Sequence, residues 1–216
     1  MKSLGSAKKL ILLFAFSLGC TTPLSNAEEE KKLNSKINYI VDGQIVNGWT
    51  MQLGDPENWS VPVVDRNGKS ASGKLTVEPA DFQGKGDAIR FSWAPRKQVR
   101  ASVALYGTAL DLSPFENTGA LVLDVKIEVK PDKNVSVSMD CGHPCRGEIE
   151  VGRNLANLKK GQWSSLPIAL NCFTKAGLDI KKIYGPIVIA TDGKLTMDVT
   201  NVRLQKLMEG DKGCAE

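Results

Sequence analysis

Between residues 123 and 129 the chain alternates strictly. Leu121, Leu123, Val125, Ile127 and Val129 are apolar, and Asp124, Lys126 and Glu128 stand between the last four. Successive side chains of an extended chain point to opposite faces, so a period of two predicts a strand with one buried face. Val135, Val137 and Met139 repeat the pattern after the turn KPDKN, and residues 187–190 and 195–204 follow around the turn TDGK. Residues 44–53, 74–78, 87–93, 99–112 and 162–170 are further strand candidates, with Gly, Pro, Asn and Asp in almost every gap. Only residues 154–160 and 173–182 suggest helix, a turn or two each. Roughly ten short strands without helix–strand alternation predict an all-β antiparallel sandwich or jelly roll rather than a parallel α/β sheet.

Upstream of residue 37 the pattern changes. Lys2, Lys8 and Lys9 precede an apolar run at 10–18, shorter than the about 20 residues of a membrane-spanning helix. A basic start, a short apolar stretch and small residues afterwards are the layout of a secretory signal. Cleavage after Ser25-Asn26-Ala27 divides the chain into a signal (1–27), a polar tether (28–36), a β domain (37–208) and a C-terminal tail (209–216). A competing reading takes Ser17-Leu18-Gly19-Cys20 as a lipobox with a lipid on Cys20. Ser17 stands where that motif usually has Leu, which favours soluble export. The expected location is periplasmic or extracellular, with a membrane as partner only if Cys20 is lipidated. The signal takes away three lysines and no acid, so formal net charge falls from +4 to +1. Nucleic acid is therefore excluded as a partner, because the clustered basic charge it requires is missing.

Charge decides little more, and chemistry must come from particular residues. Cys141, Cys145, Cys172 and Cys214 form an even set in an oxidising compartment, which predicts disulfides. Three connectivities are possible; Cys141–Cys145 is the preferred pairing, with Cys172 able to reach the same region. Three residues separate Cys141 from Cys145, so this is no Cys-x-x-Cys redox motif, and with His143 the pair lacks a fourth zinc ligand. His143 is the sole histidine and lies beside Pro144, with no Gly-x-Ser-x-Gly elbow to serve. Glycoside hydrolysis needs paired carboxylates across a cleft. Asp140, Glu148 and Glu150 are close in sequence, but Glu148 and Glu150 alternate with Ile149 and Val151 as a solvated strand face would. No catalytic residue and no cofactor are predicted. Trp49, Trp59, Trp93, Trp163 and Tyr106 remain as possible stacking platforms. Trp163 is expected to pack inside, Trp93 shares a face with Ile89 and Phe91, and Trp59 lies in a loop-like, exposed segment.

Several segments together resemble one family. They are Cys-Gly-x-Pro-Cys-Arg-Gly at 141–147, the Trp163 strand, Leu170-Asn171-Cys172-Phe173, Ala176-Gly177-Leu178-Asp179 and Thr191-Asp192-Gly193-Lys194-Leu195. GDAIRFSWA and GTALDLS lie upstream. The chain is similar, over about residues 48–204, to the ExoP galactose-binding-like domain that ends certain bacterial glycoside hydrolase family 3 exo-glucanases and glucosidases. The resemblance implies a jelly-roll β-sandwich acting beside catalytic domains for which this chain is too short. No hydrolase activity is carried over. The expected function is an exported, non-catalytic carbohydrate-binding or accessory domain for a glucan-type poly- or oligosaccharide. Trp59 and Trp93 would supply apolar contact, and Arg90, Asp140, His143 and Arg146 would fix orientation. Jelly rolls of this type often hold a structural calcium, for which Asp124, Asp192 and Asp198 are the candidate ligands. The alternative is a structural docking module for an envelope or secreted glycoside hydrolase, without a sugar site of its own.

Overall fold

The computed structural model describes residues 34–95 and 99–214. The predicted signal, Cys20 and most of the tether lie outside them. In chain order the strands are β1 (Asn38–Val41), β2 (Gln44–Ile45), β3 (Trp49–Asp55), β4 (Asn58–Pro62), β5 (Gly68–Lys69), β6 (Leu75–Ala80) and β7 (Ala88–Trp93). There follow β8 (Ala101–Gly107), β9 (Gly119–Val129), β10 (Val135–Asp140), β11 (Arg146–Glu150), β12 (Trp163–Ala169), β13 (Gly185–Thr191) and β14 (Leu195–Lys206). One antiparallel sheet runs β12-β9-β14-β7-β6-β5, with β1 joined to β14 and β2 to β1. The other runs β11-β10-β13-β8-β3-β4. From β11 onward the chain crosses between sheets at every step, as a jelly roll does.

The predicted alternation is the packing. Leu121, Leu123, Val125 and Ile127 of β9 are buried against Val135, Val137 and Met139 of β10 in one continuous core. Val129, the last of the predicted series, is 40% exposed, because β9 runs past the edge of that core. Parity also corrects three expectations. Ile89, Phe91 and Trp93 all point inward, so Trp93 is only 2% exposed and its indole Nε1 donates to the Ala101 carbonyl at 2.9 Å. It has no face to offer a ligand. Arg90, on the opposite parity, lies on the outside of the eight-stranded sheet and grips the fully buried Asp198 with two bonds of 2.7 and 2.9 Å. Trp163 is the third. Leu166 and Ile168 take the inward positions of β12, so Trp163 lies outside, against Phe82 at 4.7 Å, with the Lys126 ammonium 5.4 Å from its ring centre.

The aspartates expected to hold calcium are held by cations instead. Asp198 pairs with Arg90 and Lys126, Asp124 with Arg203, and Asp192 with Lys133. Among the described residues no three His, Cys, Asp or Glu side chains gather as a metal site.

The two helices are short. α1 (Gly152–Asn157) lies close to its predicted place, and α2 (Leu170–Lys175) begins earlier than the sequence suggests. Leu170 and Phe173, three apart and fully buried, put one face of α2 into the core. Gly177, at φ +100°, follows the helix with a backbone that side chains other than glycine's rarely adopt.

Cross-links hold the connections. The disulfides are Cys141–Cys145 and Cys172–Cys214. The second ties α2 to the C-terminal segment, where Asn171 also donates to the Lys212 carbonyl and accepts from the Cys214 amide. Lys74 is fully buried, and its ammonium donates to the carbonyls of Ala94 and Asp192, binding three connections together. Asp55 does the same with a carboxylate. It accepts from the amides of Glu57 (2.9 Å), Asn58 (3.1 Å) and Ser72 (2.8 Å), joining the β3–β4 turn to the β5–β6 hairpin. Burial alone would raise its pKa. The hydrogen bonds from Ser72, Ser70 and Asn58 outweigh that and hold it well below the usual carboxylate range.

Opening Cys172–Cys214 by replacing both with Ala is expected to cost roughly 4 kcal/mol in urea unfolding, the chain-entropy figure for a loop of about forty residues. Asp55→Asn should cost about 2 kcal/mol at neutral pH, because a charged acceptor of buried amides is lost. Asp55's folded pKa is depressed, so its contribution is present above the unfolded value of about 4 and fades as the pH falls. The stability difference between wild type and Asp55→Asn should therefore shrink steadily below about pH 4.

Candidate functional site

The inner face of the six-stranded sheet is filled by the core, and its outer face is hollow. Two rows of side chains cross that outer face in register. One is Gly54, Ser102, Ala190, Ser136 and Glu150; the other is Gln52, Ala104, Val188, Ser138 and Glu148. Across the four central strands every member except Gln52 and Val188 is Gly, Ala or Ser, so the floor is low. A Cβ on Gly54 would lie 3.0 Å from the Ser102 hydroxyl and 3.1 Å from the Trp59 carbonyl. The close approach of β4 thus depends on that glycine.

Taller residues stand on both sides and leave a groove of about 600 Å³, within the range of ordinary ligand sites. On the β4 side is Trp59, 70% exposed, near Gln52, whose Oε1 accepts from the Ser60 hydroxyl at 2.9 Å. Where the sequence suggests a loop, Trp59 belongs to an edge strand, and its exposure holds. On the opposite side stand His143, Pro144, Cys145 and Arg146. The turn carrying them is closed by the Cys141–Cys145 disulfide and by the Cys141 amide donating to the Cys145 carbonyl at 3.1 Å. The His143–Pro144 peptide is cis.

Asp140 organises this side. It accepts from the Gly142 amide (2.8 Å), from Arg146 (3.0 Å) and from the Tyr106 hydroxyl (3.3 Å). Gly185 makes room: a Cβ there would come within 3.0 Å of both Asp140 and Tyr106. Burial first, and then the charge of Asp140, raise the Tyr106 phenol above its ordinary pKa of 10.

Of the six residues singled out from sequence, the structure brings Trp59, Asp140, His143 and Arg146 to this groove and places Trp93 and Arg90 elsewhere. Sequence reasoning passes over Arg100 and Gln52. Arg100 reaches across from the start of β8, donating to Ser136 Oγ at 2.6 Å and Glu148 at 2.9 Å. No local pattern marks such a residue, since its partners lie 36 and 48 positions away. The groove is thus a shallow surface with an aromatic plate on one side and bonded donors and acceptors on the other.

A profile of galactose-binding domain-like sequences matches residues 47–204. Among solved structures, the extra C-terminal domain of the exo-1,3/1,4-β-glucanase ExoP from a Pseudoalteromonas species superposes with a TM-score of 0.64 at 19% identity. That match covers 83% of this chain and 99% of that domain. Against the full ExoP enzyme the TM-score is 0.63 at 20% identity, over 85% of this chain but only 22% of the enzyme. A family 30 carbohydrate-binding module from a cellulosomal cellulase of Clostridium thermocellum superposes with a TM-score of 0.56 at 13% identity, covering 81% of this chain and 98% of the module. At these identities the shared property is the β-sandwich fold. No functionally curated sequence matches the chain.

Asp140→Asn is expected to move the Tyr106 phenol back down toward 10, because it removes the charge that disfavours phenolate. Ultraviolet titration of the mutant against wild type checks this, and an unchanged curve would show that Asp140 does not act on Tyr106.

Proposed function

The chain belongs to the galactose-binding domain-like family, and from that membership we propose that it is an exported, non-catalytic carbohydrate-binding module for a glucan-type poly- or oligosaccharide. The observation that carries the reading is the groove itself, with a low floor and Trp59 standing at its border. A large indole left 70% in water loses a favourable burial of about 1.5–3 kcal/mol, which a sugar ring stacked on its face would recover. Tyr106, Asp140, Arg146 and Gln52 supply the donors and acceptors that sugar hydroxyls require. Two of the superposed structures support the same class of ligand, since one is a carbohydrate-binding module and another belongs to an exo-1,3/1,4-β-glucanase. Asp140 and Glu148 are each bound by an arginine, which suits holding hydroxyls better than donating protons. Two disulfides and the signal-like start of the sequence support export.

One observation favours a second reading. In ExoP a domain of this fold makes up 22% of a larger enzyme, so this chain would dock to a secreted or envelope glycoside hydrolase.

Native electrophoresis through gels containing a mixed-linkage β-1,3/1,4-glucan tests the first reading. Wild type should be retarded, and Trp59→Ala should weaken binding about tenfold or more, the equivalent of roughly 1.4 kcal/mol of lost stacking. Retardation that survives Trp59→Ala unchanged would remove that ring as the platform. Free migration of wild type in every polysaccharide gel, with a hydrolase co-purifying, would favour docking.

A further inference from the structure

The side of the groove opposite Trp59 holds two arginine–carboxylate pairs. Arg146 binds Asp140, and Arg100 binds Glu148. In the β10–β11 register, Arg146 faces Asp140 and Glu148 faces Ser138, so the pairs sit two positions apart, roughly 7 Å along the strands. A guanidinium has five N–H donors and a carboxylate about four acceptor sites, so Arg100 and Arg146 keep donors unused and Glu148 keeps acceptors, whereas Asp140, already accepting from Gly142, Arg146 and Tyr106, is the anchor that holds Arg146. Both arginines and Glu148 are open to water, so the unused donors and acceptors are within a ligand's reach. The Arg100–Glu148 pair therefore presents a fixed donor next to a fixed acceptor, and Arg146 on its Asp140 anchor adds a second fixed donor, which suits neighbouring hydroxyls and does not suit a lone anion.

The charge count points the same way. Of the groove's lining residues Arg100, Arg146 and Asp140 carry fixed charge, and both guanidiniums are paired, Arg146 with Asp140 and Arg100 with Glu148 beside the groove. Among the described residues an anionic sugar would meet no unpaired guanidinium there. Distance adds a second condition. Trp59 is on β4 and Arg146 on β11, at opposite edges of a six-stranded sheet. Five strand spacings amount to roughly 24 Å along the sheet. No single sugar ring touches both sides.

We propose that the groove binds an uncharged, extended saccharide chain at two separated points. Trp59 holds one ring, and the Arg100–Glu148 and Arg146–Asp140 pairs act as specificity determinants that read hydroxyls and turn away polyanionic chains. This deepens the carbohydrate-binding reading and rests on it. Arg100 and Glu148 are positioning groups for each other: Glu148 neutralises Arg100 and fixes its plane, and Ser136 fixes its reach.

The test is isothermal titration of the purified protein with mixed-linkage β-glucan oligosaccharides and with oligogalacturonates, each from the disaccharide upward. Wild type should bind the neutral series with affinity that rises with length and then levels, and the anionic series at least about tenfold more weakly. Glu148→Gln should bind neutral chains several-fold more weakly and oligogalacturonates more tightly, with a new salt dependence, because Arg100 loses its counter-charge. Thermal unfolding of this exposed variant should match wild type. A wild-type preference for oligogalacturonate, or a neutral-to-anionic ratio untouched by Glu148→Gln, overturns the charge filter while leaving carbohydrate binding intact. Affinity independent of length overturns the two-point contact. If neither series binds wild type, the carbohydrate-binding reading falls as well.

Discussion

Every strand of the six-stranded sheet answers to two solvents. Its inward residues must be large and apolar to fill the space against the second sheet, as Met51, Leu53, Val103, Leu105, Ile187 and Ile189 do. The residues of the other parity face outward, and in the two rows that floor the groove the four central strands use Gly, Ala and Ser everywhere except at Gln52 and Val188. The alternation forced by backbone geometry thus gives single strands one face that fills the core and one that floors the groove. Changing a floor residue leaves the core untouched, and changing a core residue leaves the floor's chemistry in place. The eight-stranded sheet uses its outer face differently. Its outward row of Lys126, Asp198 and Arg90 closes on itself as ion pairs, with Trp163 and Phe82 beside it. One face is left open and the other is sealed.

Rigidity of the loops comes from charge and sulfur rather than from helix. Asp55 and Lys74 are buried ionised groups whose partners are mostly backbone amides and carbonyls of connecting segments. Removing either partner set would strand a charge in the core, so both act as strong local constraints. The Cys141–Cys145 bridge works at smaller scale, holding His143 and Pro144 where they border the groove.

Much of this is legible in the order of residues. The period of two locates nearly every long strand, and the turn residues locate their ends. Trp59 stands out because its neighbours Glu57, Asn58 and Ser60 are polar, and the cysteine turn stands out by its spacing. Which face of which sheet each strand presents is not written locally. Arg90 and Trp93 are of the right chemical type for a sugar site, but strand pairing carries β7 into the sheet away from the groove. Trp163 escapes its expected place for a related reason: its strand's inward parity is fixed by Leu166 and Ile168, which it does not share. Arg100 carries no local mark because its meaning depends on Ser136 and Glu148, brought beside it by the β8–β13–β10–β11 order. The Cys172–Cys214 bond likewise joins segments that no local pattern links.

The distribution of the four indoles has an optical consequence. Trp49 and Trp93 are enclosed, and Trp163 is packed between Phe82 and Lys126, while Trp59 stands in water at the groove. Its emission will be the reddest of the set and the most accessible to a collisional quencher such as iodide or acrylamide. The protein thus carries its own fluorophore at the border of the groove, and a molecule settling over that ring will announce itself as a blue shift and a loss of quenching without any attached dye.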